Sequence, residues 1–255
     1  MSQPKGVLGR YALLLDTLAA APAGLTLTEI MQATDLPRGT VHRLIRALLE
    51  VGYIEPSDGR KVYVLGARLL RMIHLGTPAQ VIVSLVRPLL ERLSGRFDET
   101  AFLAKLFDRE VRSMAMVVPS SSGSTSYVQP GRVMPLNAAA SAKAIFAFQE
   151  PAVFEQAMAR PLEKFTAKAI VEKGDVEREM ELVRRNGFAV CDEELDPGVF
   201  SYACPVHLDD AGVLYSVGLV GLSERLNRFS SDAVIVELRA AAAEFAALQD
   251  VLQRG

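Results

Sequence analysis

Two stretches of this sequence carry residues whose types and spacing can do chemistry. The first is PRGTVHRLIRALLEVGY, where Arg38, Thr40, His42, Arg43 and Arg46 recur at one-turn intervals. An arginine fork bonds two acceptors on one guanine edge, and hydroxyl or imidazole groups bond other base edges or phosphates. Arg60 and Lys61 add two adjacent cations just downstream. The second is the small-residue run Ala138-Ala139-Ala140-Ser141-Ala142 at the start of a predicted helix. Small side chains let an anion approach the free N–H groups of a helix start. The same run suits an Ala-rich helix packed tightly on a sheet, and spacing alone leaves both readings open.

Catalytic chemistry has little material to work with. There is no GxSxG, no phosphate-binding glycine loop and no HExxH. His42, His74 and His207 are scattered, and Cys191 and Cys204 stand thirteen positions apart among predicted strands, which is not a metal-ligand spacing. Glu193-Glu194 is an acidic pair whose neighbours point apart, and surface or capping carboxylates are the expected role. No catalytic residues, no metal and no cofactor are therefore assigned. Both cysteines are expected as small buried hydrophobes, and a bridge between them requires neighbouring strands.

The basic cluster is positioned by a recognisable run of elements. Leu8, Tyr11, Leu14, Leu15 and Leu18 give one amphipathic helix. Thr26-Leu27-Thr28-Glu29 is a capping box that starts a second. Asp35-Leu36-Pro37 turns the chain into a third, with Pro37 suited to its first turn and Val41, Leu44, Ile45, Leu48 and Leu49 as its buried stripe. The cluster lies mostly off that stripe, and Gly52 closes the helix. Tyr53–Glu55 and Lys61–Leu65 form a hairpin whose tip carries Asp58-Gly59 and the two cations. Short helix, turn, Arg-rich helix and basic hairpin in this order predict a winged helix-turn-helix that binds double-stranded operator DNA. A three-helix protein-interaction module is the alternative.

Charge follows the same division. Residues 1–75 hold nine Lys/Arg against six Asp/Glu, and the remaining 180 hold nineteen against twenty-four, so a net charge of −2 hides a basic first segment. Half of all residues are hydrophobic and 23% are charged, a globular composition. Apolar runs such as Ala101–Ala104 are too short to span a bilayer. The first ten residues lack a signal-peptide core, so a cytoplasmic protein with no membrane partner is expected.

Beyond Gly76-Thr77-Pro78 the pattern changes. A helix over 79–94 precedes strands at Thr100–Phe107 and Val111–Val118. After the loop Ser120–Ser126, helices are expected at 138–148, 152–159 and 175–186. Strands follow at 188–191, 201–207 and 213–221, and a last helix at 231–252. The fold class is α+β: residues 1–66 form the winged helix, 67–77 a linker helix, and 78–255 a mainly antiparallel sheet with helices around it.

LTLTEIMQATDLPRGTVHRLIRALLEVGYIE, PGRVMPLNAAASAKAIFAF, NGFAVCDEELDPGVFSYACPV and AGVLYSVGLVGLSERL, in that order, resemble the IclR family of bacterial transcriptional regulators over nearly the whole chain. The resemblance implies a GAF-like sensor domain and a ligand-responsive regulator. It also implies a homodimer or dimer of dimers, for which the first and linker helices have spare apolar positions. It implies an effector acid group held near Ala140 and Ser141, facing Cys191, Ser201 and the strand that ends Leu219-Val220-Gly221. Leu219 and Gly221 stand where sensors of very small oxoacids tend to carry serines, and Asn137 stands where His is frequent. An aromatic or apolar carboxylate is therefore expected, with Asn137, Leu219, Met116 and Met134 completing the wall. A sensor of glyoxylate or pyruvate is the alternative, and a DNA-tethered enzyme acting on the ligand is a further one.

Overall fold

The computed structural model describes residues 6–57, 62–120, 129–209 and 211–254. Arg60 and Lys61, with most of the Ser120–Ser126 loop, lie outside the described residues. The chain divides into two compact units, Met1–Gly76 and Thr77–Gly255, so the helix expected as a linker groups with the first.

In the first unit, helix α1 (Val7–Ala19) is followed by strand β1 (Leu25–Thr26), helix α2 (Leu27–Thr34) and helix α3 (Arg38–Glu50). Strands β2 (Ile54–Pro56) and β3 (Val62–Leu65) and helix α4 (Ala67–Gly76) complete it. The capping box is formed: Glu29 N–H donates to the Thr26 hydroxyl, and Thr26 N–H donates to the Glu29 carboxylate at 2.7 Å. Asp35 then ends α2 in the left-handed region, and Pro37 serves as the N-cap of α3 rather than lying inside its first turn.

The C-terminus of α3 is a Schellman closure. Gly52 (φ 70) donates to Leu49 O and Tyr53 donates to Leu48 O, which uses two otherwise orphaned carbonyls. Gly66 is fixed by contact, because a Cβ there would stand 2.5 Å from Gly52 O. Leu14, Leu18, Ile30, Val41, Leu44, Ile45, Leu48 and Ile54 make one core. Leu49 was expected in that stripe but is exposed; one residue on from Leu48, it sits about 100° around the helix, clear of the core. The short β1 joins β3 to give a three-stranded sheet in the order β1-β3-β2.

The second unit begins with helix α5 (Ala79–Phe97) and strands β4 (Thr100–Phe107), β5 (Glu110–Val117) and β6 (Val133–Met134). Helices α6 (Ala140–Phe146), α7 (Pro151–Met158) and α8 (Lys173–Asn186) follow. Strands β7 (Ala189–Asp192), β8 (Val199–Leu208) and β9 (Gly212–Leu222) and helices α9 (Ser223–Leu226) and α10 (Ser231–Arg254) close the chain. Six antiparallel strands run in the order β6-β5-β4-β9-β8-β7. The sequence patterns missed β1, β6 and α9, whose two to four residues are too few to show a period. Helix α6 is shorter than expected because Ala138 and Ala139 turn back on Pro135 O, and Ala139 is extended.

The two faces of this sheet are the frame for the site. Directly paired residues on antiparallel strands share a face, and successive residues alternate. Ser201 pairs with Val220, which pairs with Thr100, and this row lies on the α6 face. Tyr202 pairs with Leu219, which pairs with Ala101, on the opposite face under α5 and α10. Two contacts fix the assignment: Ser216 Oγ donates to Ser141 O on α6, and the Tyr202 hydroxyl lies 2.7 Å from Ser231 Oγ at the start of α10.

Among the described residues no single helix is long and apolar enough to cross a membrane.

Candidate functional site

On α3 the sequence-predicted polar residues separate from the core by simple helical geometry. Val41, Leu44, Ile45 and Leu48 are buried, while Arg38, His42, Arg43 and Arg46 are exposed and Thr40 is half-buried. A helix turns about 100° per residue, so 38, 42 and 46 form one row and 43 lies beside it. The helix thus presents three guanidinium groups and an imidazole to solvent on its first two and a half turns. Its opposite side is held rigidly by the core, the capping box behind it and the closure after it.

The second unit holds a small chamber of about 20 Å³ between α6 and the sheet. Ala140, Ser141, Cys191, Ser201 and Met134 line it, so five of the eight expected effector residues converge from four separate elements. Phe102, Ala139, Leu195, Asp196, Val199 and Val220 complete the wall. Ser141 is 1% exposed, and its hydroxyl has no hydrogen-bond partner among the described residues. A buried hydroxyl left open costs about 1–3 kcal/mol, which a ligand that bonds it can recover. Lys143 supplies the first N–H of α6 with a backbone acceptor, Ala139 O.

Three expected residues do not join this set. Leu219 pairs with Tyr202 and faces α10, so it is on the wrong side of the sheet; its neighbour Val220 is the one in the chamber. The strand LYSVGLV is apolar at nearly every position because both faces are covered, so it has no alternation from which to read the face. Asn137 is a clamp: its Nδ2 donates to Glu163 O at 2.9 Å and Ile170 O at 2.7 Å, tying the segment after α7 to the approach of α6. Met116 shares the α6 face with Phe102 but does not line the chamber. Phe102 had no sequence signal. Its ring crosses Gly218, where a Cβ would stand 2.3 Å from Cζ, so that glycine admits the ring.

Beside the chamber, Lys143 is fully buried with its Nζ 2.5 Å from Glu194 Oε2, 3.2 Å from Glu179 Oε1 and donating to Val190 O at 3.0 Å. It fastens α6 to α8 and β7. Burial pushes the Glu194 carboxyl up, and the Lys143 ammonium offsets only part of that rise. Glu194 is therefore a structural ion-pair partner and not the surface carboxylate expected. Glu193 turns outward in the left-handed region (φ 58) and accepts from Ser223 Oγ at 3.0 Å.

Burial pushes both thiols up, Cys204 to about 12, so neither carries appreciable thiolate at neutral pH. Strands β7 and β8 are neighbours, yet Cys191 pairs with Ser201 on the α6 face and Cys204 pairs with Val217 on the other, which rules out a bridge between them. Among the described residues no three His, Cys, Asp or Glu side chains are grouped to hold a metal ion.

Comparison with known proteins agrees with this division. Residues 7–58 match the IclR helix-turn-helix domain, and residues 77–247 match the bacterial transcriptional regulator IclR C-terminal domain. The transcriptional regulator TtgV of Pseudomonas putida is 33% identical over 88% of this chain and 84% of its own length. The glycerol operon regulatory protein of Streptomyces coelicolor is 30% identical over 87% and 86%. Among solved structures, an IclR-type regulator from a Silicibacter species superposes with a TM-score of 0.61 at 25% identity, covering 95% of each chain. An IclR homologue from Microbacterium hydrocarbonoxydans, complexed with 4-hydroxybenzoate, shares the fold with a TM-score of 0.60 at 21% identity, over 94% and 97%.

Proposed function

The chain belongs to the IclR family of bacterial transcriptional regulators, and from that premise we propose that its effector is an organic acid with an apolar, aromatic body, sensed in the α6 chamber. It is a regulator with a DNA-binding helix-turn-helix domain and an effector-binding C-terminal domain. The observation that carries the proposal is Ser141: a buried hydroxyl without a partner, aimed into a chamber whose other walls include Phe102, Met134, Val199 and Val220. Ser141, Ser201 and the α6 N–H groups supply donors for a carboxylate, and the remaining wall is apolar. In the β9 row that faces α6, Gly218 and Val220 carry no hydroxyl and Ser216 already donates to Ser141 O, which disfavours a tiny oxoacid that needs several donors. The 4-hydroxybenzoate complex of the fold relative supports an aromatic acid as a class this architecture accepts.

Calorimetry with benzoate-type acids, glyoxylate and pyruvate tests this. Benzoate-type acids are expected to bind, and Ser141→Asp to abolish the response through charge repulsion while DNA binding stays intact. Tight binding of the small oxoacids alone would overturn the aromatic assignment.

On the DNA side, Arg38, Thr40, His42, Arg43 and Arg46 are proposed to face the major groove, with Arg60 and Lys61 on phosphate. Arg43→Ala is expected to weaken operator binding by roughly 1–3 kcal/mol and relax preference at one base pair. Arg60→Ala and Lys61→Ala should weaken all sequences alike and flatten the salt dependence. Footprints and salt slopes unchanged in all three variants would remove the assignment. A homodimer fits a two-fold operator, and the apolar side chains that α1 and α4 leave exposed (Val7, Leu8, Met72, Ile73) are a candidate interface. Sedimentation of the Leu8→Glu variant checks that interface.

A further inference from the structure

The chamber is too small for the ligand proposed for it. About 20 Å³ holds a single water, whereas ligand sites run to several hundred Å³. A cavity of the right size lies next door: a cleft of about 430 Å³ between the β5–β6 edge, the end of α6, and α7 with the segment that follows it. Met134 and Leu195 line both spaces. A third element spans the same boundary, since Arg132 lines the cleft, Asp196 lines the chamber, and the two are 3.8 Å apart. The divide between the cavities therefore includes two flexible apolar side chains and one long ion pair. Methionine has three rotatable side-chain bonds and repacks at small cost. A 3.8 Å pair with side chains 40% and 44% exposed holds its partners weakly.

The walls of the cleft suit the rest of such a molecule. Phe146, Leu162, Phe165 and Leu136 offer an apolar surface, while Arg109, Arg132 and Arg160 bring three cations against the two carboxylates of Glu110 and Glu163. Glu110 is already committed to Arg112 and Arg160, at 3.0 and 2.6 Å, and both hold its carboxyl below the usual range.

We propose that chamber and cleft are two compartments of one effector site, divided by Met134 and Leu195, and that its ligand is an elongated aromatic acid longer than a single ring. This rests on the reading of the chamber as the seat of the acid group. The carboxylate sits at Ser141 and Ser201, the first ring displaces Met134 and Leu195, and the far end lies in the cleft.

The test uses the full chain and a graded series of probes: benzoate, 4-phenylbenzoate and 4-phenylbutyrate. The wild type should bind the two longer acids more tightly than benzoate by on the order of tenfold to a hundredfold. Ala157→Trp and Leu162→Trp each fill the cleft without touching the chamber. Either variant should erase the gain from length, so that the two longer acids bind no more tightly than benzoate. Ser141→Asp should abolish binding of all three. If the Trp variants, folded by circular dichroism, keep the full preference for long acids, the two-compartment site is wrong while the chamber reading stands. If Ser141→Asp binds the long acids as the wild type does and the Trp variants do not, the cleft is a separate site and the chamber reading fails with the proposal.

Discussion

The two faces of the six-stranded sheet are built from the same strands, yet only one is closed. Under α5 and α10 the layer is filled by large side chains: Leu219, Tyr202, Tyr215 against Phe245 edge-on, and Leu238. Under α6, small or hydroxylic residues (Ser141, Ser201, Ala203, Ser216 and Gly218) stand beside Phe102, Met134, Val199 and Val220, and an unfilled chamber with an open hydroxyl remains. Dense packing resists change because a displaced atom loses its contacts, whereas a void beside the open Ser141 hydroxyl offers a ligand both room and a hydrogen bond. The Tyr215–Phe245 layer therefore lies on one side and the chamber proposed for recognition on the other. The closed face still has a charged member, Lys105, 1% exposed, its ammonium 5.3 Å from the ring centroids of both Tyr215 and Phe107.

The neighbours Leu219 and Val220 give the sharpest way to break this contrast. Leu219→Ser places a hydroxyl and a void in the closed layer and should cost about 2–5 kcal/mol of stability, read by urea unfolding. The relative affinity for benzoate and glyoxylate should not change. A selectivity change with little loss of stability would show that the two faces are not distinct.

Lys105 gives the next effect. Burial lowers its ammonium to about 8 from 10.5, so between those values the unfolded chain holds a proton that the folded chain has lost. Stability supported by this group is present at high pH and is lost as pH falls through about 8. Lys105→Met removes that dependence. The variant's advantage over wild type should be greatest near neutrality and narrow by roughly 2 kcal/mol from about pH 7.5 to about pH 9.5. A constant gap would show that the charge is well solvated.

Val220→Ser is the counterpart on the open face. It should weaken an aromatic acid by roughly 1–3 kcal/mol, the scale of one buried apolar contact, and improve glyoxylate by adding a donor. The smallest effect concerns the cysteines. Both thiols should alkylate slowly, but benzoate should slow Cys191 further and leave Cys204 unchanged, read by mass spectrometry of the labelled peptides. Equal protection of both would place the ligand elsewhere.

Much of the first unit was readable from the chain because its determinants are local. Thr26 and Glu29 are three residues apart, Gly52 follows its own helix, and the α3 stripe repeats within four turns. Each signal is complete within one element, and the exposed arginines follow from it by rotation about a helix axis. In the second unit the order of the longer elements follows from the sequence patterns, without β6 and α9, and the convergence of Ala140, Ser141, Cys191 and Ser201 from the family likeness of the quoted stretches.

What the sequence left undecided was which side of a doubly covered strand each residue takes. Leu219 and Val220 are chemically alike, both are buried, and a shift of one position exchanges their faces. Only the pairing of Ser201 with Val220 across β8 and β9 decides between them. The same holds for Cys191 and Cys204, for Phe102 over Gly218, and for Lys143 meeting Glu194 and Glu179 from distant segments. Local chemistry settles caps, stripes and turns because its partners lie within one turn of the chain. Strand register and cavity walls depend on partners brought together from tens of residues away, so they exist only in the folded chain.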